Sequence, residues 1–213
     1  LKGSKMYVSL EPCTHYGKTP PCSNFIIKSN IKKVIFSIID PDERSKSQSF
    51  KIFKNKKIVV KSGLLKKEGY KIYKPYIYNK SKKLAYVTGK LAVSMDNFIY
   101  SKKKLKITNK YSDQITHLLR YKNDSVLISS KTLNTDNPML NCRIEGLTDH
   151  SPKRIILDRM LSININSYIC STVANKNTII FYNKDTKRKL KLLKKIGVKL
   201  IKFPVNKDNL FDL

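Results

Sequence analysis

Apolar and polar positions along the chain fall into short blocks of two periods. Met6–Leu10 alternates and carries β-formers, which predicts a strand that Pro12 ends. Residues 14–21 are loop by composition, and Pro20-Pro21 suits the first turn of a helix over Cys22–Lys28. Ile31–Ile39 is a nearly continuous apolar run of buried-strand type, closed by the turn Asp40-Pro41-Asp42. Ser49–Asn55 is a short helix and Lys57–Lys61 a strand. The order β, α, β, α, β is an α/β layer pattern. Residues 64–83 are rich in Tyr and Lys and end in a polar run, which puts a domain boundary at 80–84. A second series follows: strand Ala85–Ser94, amphipathic helix Ser112–Tyr121, strands Ser125–Ser129, Arg154–Leu157 and Thr178–Tyr182, helix Lys187–Ile196 and strand Val198–Phe203.

Composition bounds the function. An apolar share of 40% is enough for a packed core. No stretch approaches the ~20 apolar residues of a membrane span. No apolar run of signal-peptide type opens the chain, so the cytoplasm is expected. The net charge of +29 invites a nucleic-acid reading, but 38 of the 44 cations are Lys and only 6 are Arg. Abundant Lys, Ile, Asn and Tyr are the mark of an AT-rich gene, whereas a phosphate-reading surface favours the bidentate fork of Arg. No nucleic-acid partner and no membrane partner are expected. The chain begins with Leu and ends on NKDNLFDL, so both ends look cut.

The strongest chemical signal is Glu11-Pro12-Cys13 followed by Cys22, with eight residues between the cysteines. Two thiolates bracketed by prolines at a strand-to-helix turn can converge on one metal, and zinc prefers sulfur and imidazole in tetrahedral geometry. A helix N-terminus at Cys22 would lower its thiol pKa. Cys142 and Cys170 lie in apolar or loop contexts without partner spacing and are assigned to packing.

The string Tyr7 through Cys22 (YVSLEPCTHYGKTPPC) resembles the deaminase motif of the bifunctional riboflavin biosynthesis deaminase–reductase family. Ile39-Asp40-Pro41-Asp42 is similar to its Asp-Pro element, and Gly89-Lys90-Leu91-Ala92-Val93-Ser94-Met95-Asp96 to the start of its reductase domain. The resemblance continues through Ile107-Thr108, Leu118-Leu119-Arg120, the run Thr132 to Arg143, and Ile156-Leu157-Asp158-Arg159.

That resemblance implies a partial cytidine-deaminase-like domain over 1–83 and a partial dihydrofolate-reductase-like domain over 84–213. It implies zinc held in part by Cys13 and Cys22, with the family's His and proton-shuttling Glu upstream of the chain, so that no catalytic residue is named within it. His15 and Lys18 would face the substrate from the loop. Val93, Thr132, Asp136 and Arg159 would line the NADPH side. Arg120, Leu140 and Arg143 would line the phosphoribosyl substrate, where the planar Arg fork suits a phosphate. The reactions implied are hydrolytic deamination of 2,5-diamino-6-(5-phosphoribosylamino)pyrimidin-4-one, then NADPH-dependent reduction of its ribosyl group to ribityl. Self-association is implied too. A basic nucleic-acid-binding protein with a structural zinc and another nucleobase deaminase are the alternatives. Neither step is expected of these 213 residues alone. The chain departs from the family at Asn97, where the family has Gly, in the degraded loop DPDERSKSQS, and at Lys104-Leu105-Lys106, which replaces Ser-x-Trp.

Overall fold

A computed structural model describes residues 1–99, 106–173, 177–185 and 187–211. The chain divides into two compact units, Leu1–Lys90 and Leu91–Leu213.

In the first unit, β1 (Lys5–Leu10), β2 (Lys33–Ile38) and β3 (Val59–Ser62) form a parallel sheet in sequence order, with Val8 opposite Phe36 and Leu10 opposite Ile38. Helices α1 (Cys22–Lys28) and α2 (Gln48–Asn55) are the crossovers that parallel strands require. The central strand β2 is apolar on both faces, with Val34, Ile35, Phe36 and Ile38 buried, because it is covered on both sides. Phe36 packs edge-on against Phe50 of α2 at 5.4 Å.

The Tyr- and Lys-rich run, for which the sequence pattern predicts no element, is the helix α3 (Lys66–Lys82). Gly69, Tyr73, Tyr76 and Ile77 fall at helical spacing on its least exposed face. Gly69 lets that helix touch β2: a Cβ there would lie 2.9 Å from Ser37 Cβ and 3.0 Å from Ile38 Cγ2.

In the second unit, α4 (Lys110–Lys122) is capped by the Asn109 side chain, which accepts from Ser112 N–H. Strands β4 (Ser125–Ser129), β5 (Lys153–Leu157), β6 (Thr178–Tyr182) and β7 (Lys199–Lys202) form a parallel sheet, again in sequence order. Helices α5 (Ser130–Asp136), α6 (Tyr168–Ser171) and α7 (Lys187–Lys195) complete it. The core gathers Leu133, Leu140, Ile156, Ile163, Ile169, Ile180 and Leu193.

One expected strand does not form. Residues 85–94 are irregular, and Leu84, Val87, Leu91 and Val93 are exposed. Their alternation fits a strand, but among the described residues no strand pairs with them, so the backbone groups gain no ladder. Asn97 adopts the left-handed turn expected of it, at φ 64°. Lys104 and Leu105 lie outside the described residues. No helix among the described residues is long and apolar enough to cross a membrane.

Candidate functional site

Chemistry-bearing residues gather in two places, one in each unit. The first lies where β1 ends. Backbone pairing continues one residue past the strand, through Glu11 N–H to Ile38 C=O. The chain then turns so that Cys13 meets the start of α1: its carbonyl accepts from Ser23 N–H at 3.1 Å and its Sγ from Cys22 N–H at 3.2 Å. Cys13 and Cys22 thus line one cleft of about 810 Å³ together with Met6, Tyr16, Pro21 and Tyr73. The Cys22 pKa lies above its ordinary value, opposite to the expected drop. Packing around its sulfur pushes the thiol up, and the neighbouring Cys13 thiol adds to the rise, against backbone N–H groups at Cys13 and Cys22 that lower it.

Sequence reasoning missed the role of Glu11. Its buried carboxylate accepts from Asp40 N–H, Ser47 N–H, Ser49 N–H and the Ser49 hydroxyl, the last at 2.6 Å. Since Ser47 and Ser49 open α2, Glu11 caps that helix from just beyond the end of β1. Beside it Asp40 accepts from Tyr76 O–H at 2.9 Å, and Asp42 takes Arg44 through Nε at 2.9 Å and Nη2 at 2.6 Å, and Lys80 at 2.7 Å. Arg44, then Lys80, hold the Asp42 carboxyl far below the usual carboxylate range. Burial and then the bond to Asp40 push the Tyr76 phenol above its ordinary value.

His15 and Lys18 do not line the cleft. The His15 ring turns to the Ser45 hydroxyl, with Nδ1 2.8 Å from Oγ, and Lys18 is exposed. Among the described residues no group of three His, Cys, Asp or Glu is placed to hold a metal.

The second place is the junction of α4 with the loop after α5. His117, Arg120 and Tyr121 are spaced i, i+3, i+4 and so share one helix face. The loop bends through Asn137 (φ 42°) and Leu140 (φ 54°), both left-handed, and Leu140 anchors it by entering the core. The Asn141 carbonyl then accepts from Arg120 Nη1 at 3.2 Å, while Arg143 Nη1 donates to Asn141 Oδ1 at 3.1 Å. The His117 Nδ1 lies 3.2 Å from both Asn141 O and Arg143 N. Arg120 and Arg143 are brought together: burial lowers the Arg120 pKa and the Arg143 charge lowers it further. Among the described residues no carboxylate pairs with either.

The residues expected on the cofactor side are more dispersed. Thr132 is exposed in the first turn of α5, its N–H donating to the capping Ser129 Oγ at 3.2 Å, and Asp136 is exposed as the last residue of that helix. Arg159 follows β5 and donates to Asn209 C=O at 2.6 Å. Thr132 and Arg159 therefore sit beyond the carboxyl ends of neighbouring parallel strands, where open α/β sheets hold ligands. Val93 is exposed in the irregular run over residues 85–94.

Two parallel α/β sheets, with Cys13 and Cys22 on one cleft and Arg120 and Arg143 both bonded to Asn141, place the chain in the α/β class. The chain belongs to the RibD C-terminal domain family, whose model matches residues 85–211. It is 32% identical over 202 residues to the riboflavin biosynthesis protein RibD of Aquifex aeolicus, covering 94% of this chain and 56% of that one. Among solved structures, Acinetobacter baumannii RibD superposes with TM-score 0.79 at 26% identity, over 95% of this chain and 56% of that one. A diaminohydroxyphosphoribosylaminopyrimidine deaminase/5-amino-6-(5-phosphoribosylamino)uracil reductase from Thermotoga maritima superposes with TM-score 0.73 at 28% identity, over 92% of this chain and 61% of that one. The chain thus spans little more than half the length of these relatives, and the resemblance read from its motifs is borne out.

Proposed function

We propose that this chain is part of a riboflavin biosynthesis enzyme and that its second unit serves the NADPH-dependent reduction of a phosphoribosylaminopyrimidine to its ribityl product. The observation that carries this reading is the arginine pair. In a chain where Lys outnumbers Arg 38 to 6, Arg120 of α4 and Arg143 of the facing loop both bond Asn141, without a carboxylate partner among the described residues and with the charge of one opposing that of the other. Such a pairing is favourable once a phosphate dianion lies between the guanidinium groups. NADPH, when bound, supplies the hydride that reduces the sugar C1. The exposed hydroxyl of Thr132, the carboxylate of Asp136 and the guanidinium of Arg159 have the donor and acceptor character that a dinucleotide's ribose and phosphates need.

The first unit is read as the matching part of a zinc deaminase domain of cytidine-deaminase type. Cys13 and Cys22 would supply two thiolates to the metal. That is two of the three protein ligands such a site uses. Self-association, the soluble cytoplasmic setting and the absence of nucleic-acid partners belong to the same reading.

Titration of the purified chain with ribose 5-phosphate, followed by calorimetry, tests the arginine site. Arg120→Gln and Arg143→Gln are each expected to weaken binding by roughly tenfold or more, the scale of one lost charge-assisted pair. Unchanged affinity in both variants overturns the assignment.

A further inference from the structure

The His117 ring lies against the two arginines and is not accounted for by the reading above. Its Nδ1 is 3.2 Å from the Arg143 backbone nitrogen and 3.2 Å from the Asn141 carbonyl oxygen. A neutral imidazole nitrogen either donates or accepts, so only one of these contacts is a hydrogen bond at a time. The Asn141 carbonyl already accepts from Arg120 Nη1. For the Arg143 N–H, His117 Nδ1 is the acceptor in place. Satisfying both backbone groups therefore requires a bare Nδ1, with the ring proton on Nε2.

The surroundings favour that neutral form. Burial lowers the His117 pKa, and the charges of Arg143, from the loop, and Arg120, from its own helix, lower it further; the Asn141 carbonyl and Asp113 oppose them. Asp113 is itself engaged by Lys106 and by the Thr108 hydroxyl at 2.9 Å.

We propose that His117 is a positioning residue for the anion site: its Nδ1 accepts the Arg143 N–H, ties the loop to α4, and so keeps the Arg143 guanidinium beside that of Arg120, where one phosphate monoester meets both. This rests on the reading of Arg120 and Arg143 as phosphate ligands. It adds a residue that acts through Arg143. Leu140 and Cys142 anchor the loop up to this point, but Arg143 itself is exposed and, among the described residues, its side chain bonds Asn141 and Met139 of its own loop, so the tie to α4 is the His117 contact.

The test is the affinity of the full chain for ribose 5-phosphate in three variants. Asn carries its amide group near the place of Nδ1, and Gln carries its own near the place of Nε2. His117→Ala is expected to weaken binding by roughly five- to tenfold, the scale of one lost hydrogen bond. His117→Asn is expected to recover most of that loss, and His117→Gln to behave like the Ala variant. Recovery by Gln and not by Asn overturns the proposal, because the ring would then touch the anion through Nε2. An unchanged affinity in His117→Ala overturns it as well, while the loss in Arg120→Gln keeps the phosphate reading standing. If Arg120→Gln binds like the wild type, it is the phosphate reading that fails. Nitrogen NMR of the His117 ring in the unmodified chain gives a readout that needs no variant: the proton on Nε2 is expected, and a proton on Nδ1 in the free protein overturns the role.

Discussion

The two units treat their charged groups in opposite ways. Beyond the ends of β1 and β2 the carboxylates are saturated: Glu11 takes four donors, and Asp42 takes a guanidinium and an ammonium. At the α4–loop junction two guanidinium groups are crowded together, with no carboxylate between them among the described residues. The first arrangement has nothing left to offer a ligand, so its work is structural. The second leaves guanidinium donors without a carboxylate among the described residues, which is what the proposed anion-binding role requires of it. The contrast is one of role and not merely of unit. Asp158 in the second unit is buried and saturated by Ser162 N–H, the Ser162 hydroxyl and Ile163 N–H, and it shapes a turn as Glu11 does.

The sharpest way to break this distinction is to remove one group of each kind. Glu11→Ala strips the acceptor from three backbone N–H groups and a buried hydroxyl. It is expected to cost the first unit roughly 3 kcal/mol or more. Hydrogen exchange at the β2 amides measures it. Arg120→Gln is expected to leave exchange in β5 and β6 unchanged while weakening ribose 5-phosphate binding. A stability loss from Arg120→Gln matching that from Glu11→Ala would erase the division between structural and ligand-directed charges.

A smaller effect probes how the saturated cluster is assembled. Tyr76 and Lys80 reach Asp40 and Asp42 only because α3 lies close on β2, and Gly69 permits that approach. Gly69→Ala puts a Cβ at 2.9 Å from Ser37 Cβ. The helix then has to shift, which outweighs the gain in helix propensity, for a net loss of roughly 1–2 kcal/mol. A chemical denaturation midpoint of the first unit that rises would show that the close approach is not needed.

Much of the fold was legible because strand and crossover periods are strong local signals. Ser125–Ser129 and Thr178–Tyr182 run between the residues expected. Helix α3 was hidden because Gly69 and Pro75 read as breakers and tyrosines stand where aliphatic residues normally mark a buried face. The expected strand over 85–94 has the right alternation, but a strand is completed by neighbours, and no pattern within the segment can supply them. In the site, the cysteine pair was legible because both thiols lie on one continuous turn. Glu11 was not, since its partners Asp40, Ser47 and Ser49 are 29 to 38 residues away. His117 was passed over for the same reason. Its spacing to Arg120 is local, but its meaning depends on a loop 24 to 26 residues on that turns through the left-handed Leu140.

The smallest predicted effect lies in the acid limb of stability. Asp42 has a pKa depressed by Arg44 and then by Lys80. A carboxylate with a lowered folded-state pKa contributes stability that is fully present above its unfolded value of ~3.9 and is lost as pH falls below it. Asp42→Asn is therefore expected to destabilise the first unit slightly at pH 6, with the difference from wild type shrinking as pH falls through 4 towards 2. Because the Arg44 side chain is 59% exposed, added salt should shrink the same difference at pH 6. Denaturation midpoints of both proteins along that pH series measure it. A difference that grows on acidification would mean that Asp42 is held protonated in the fold, and the saturated cluster would then owe its stability to neutral hydrogen bonds instead of charge.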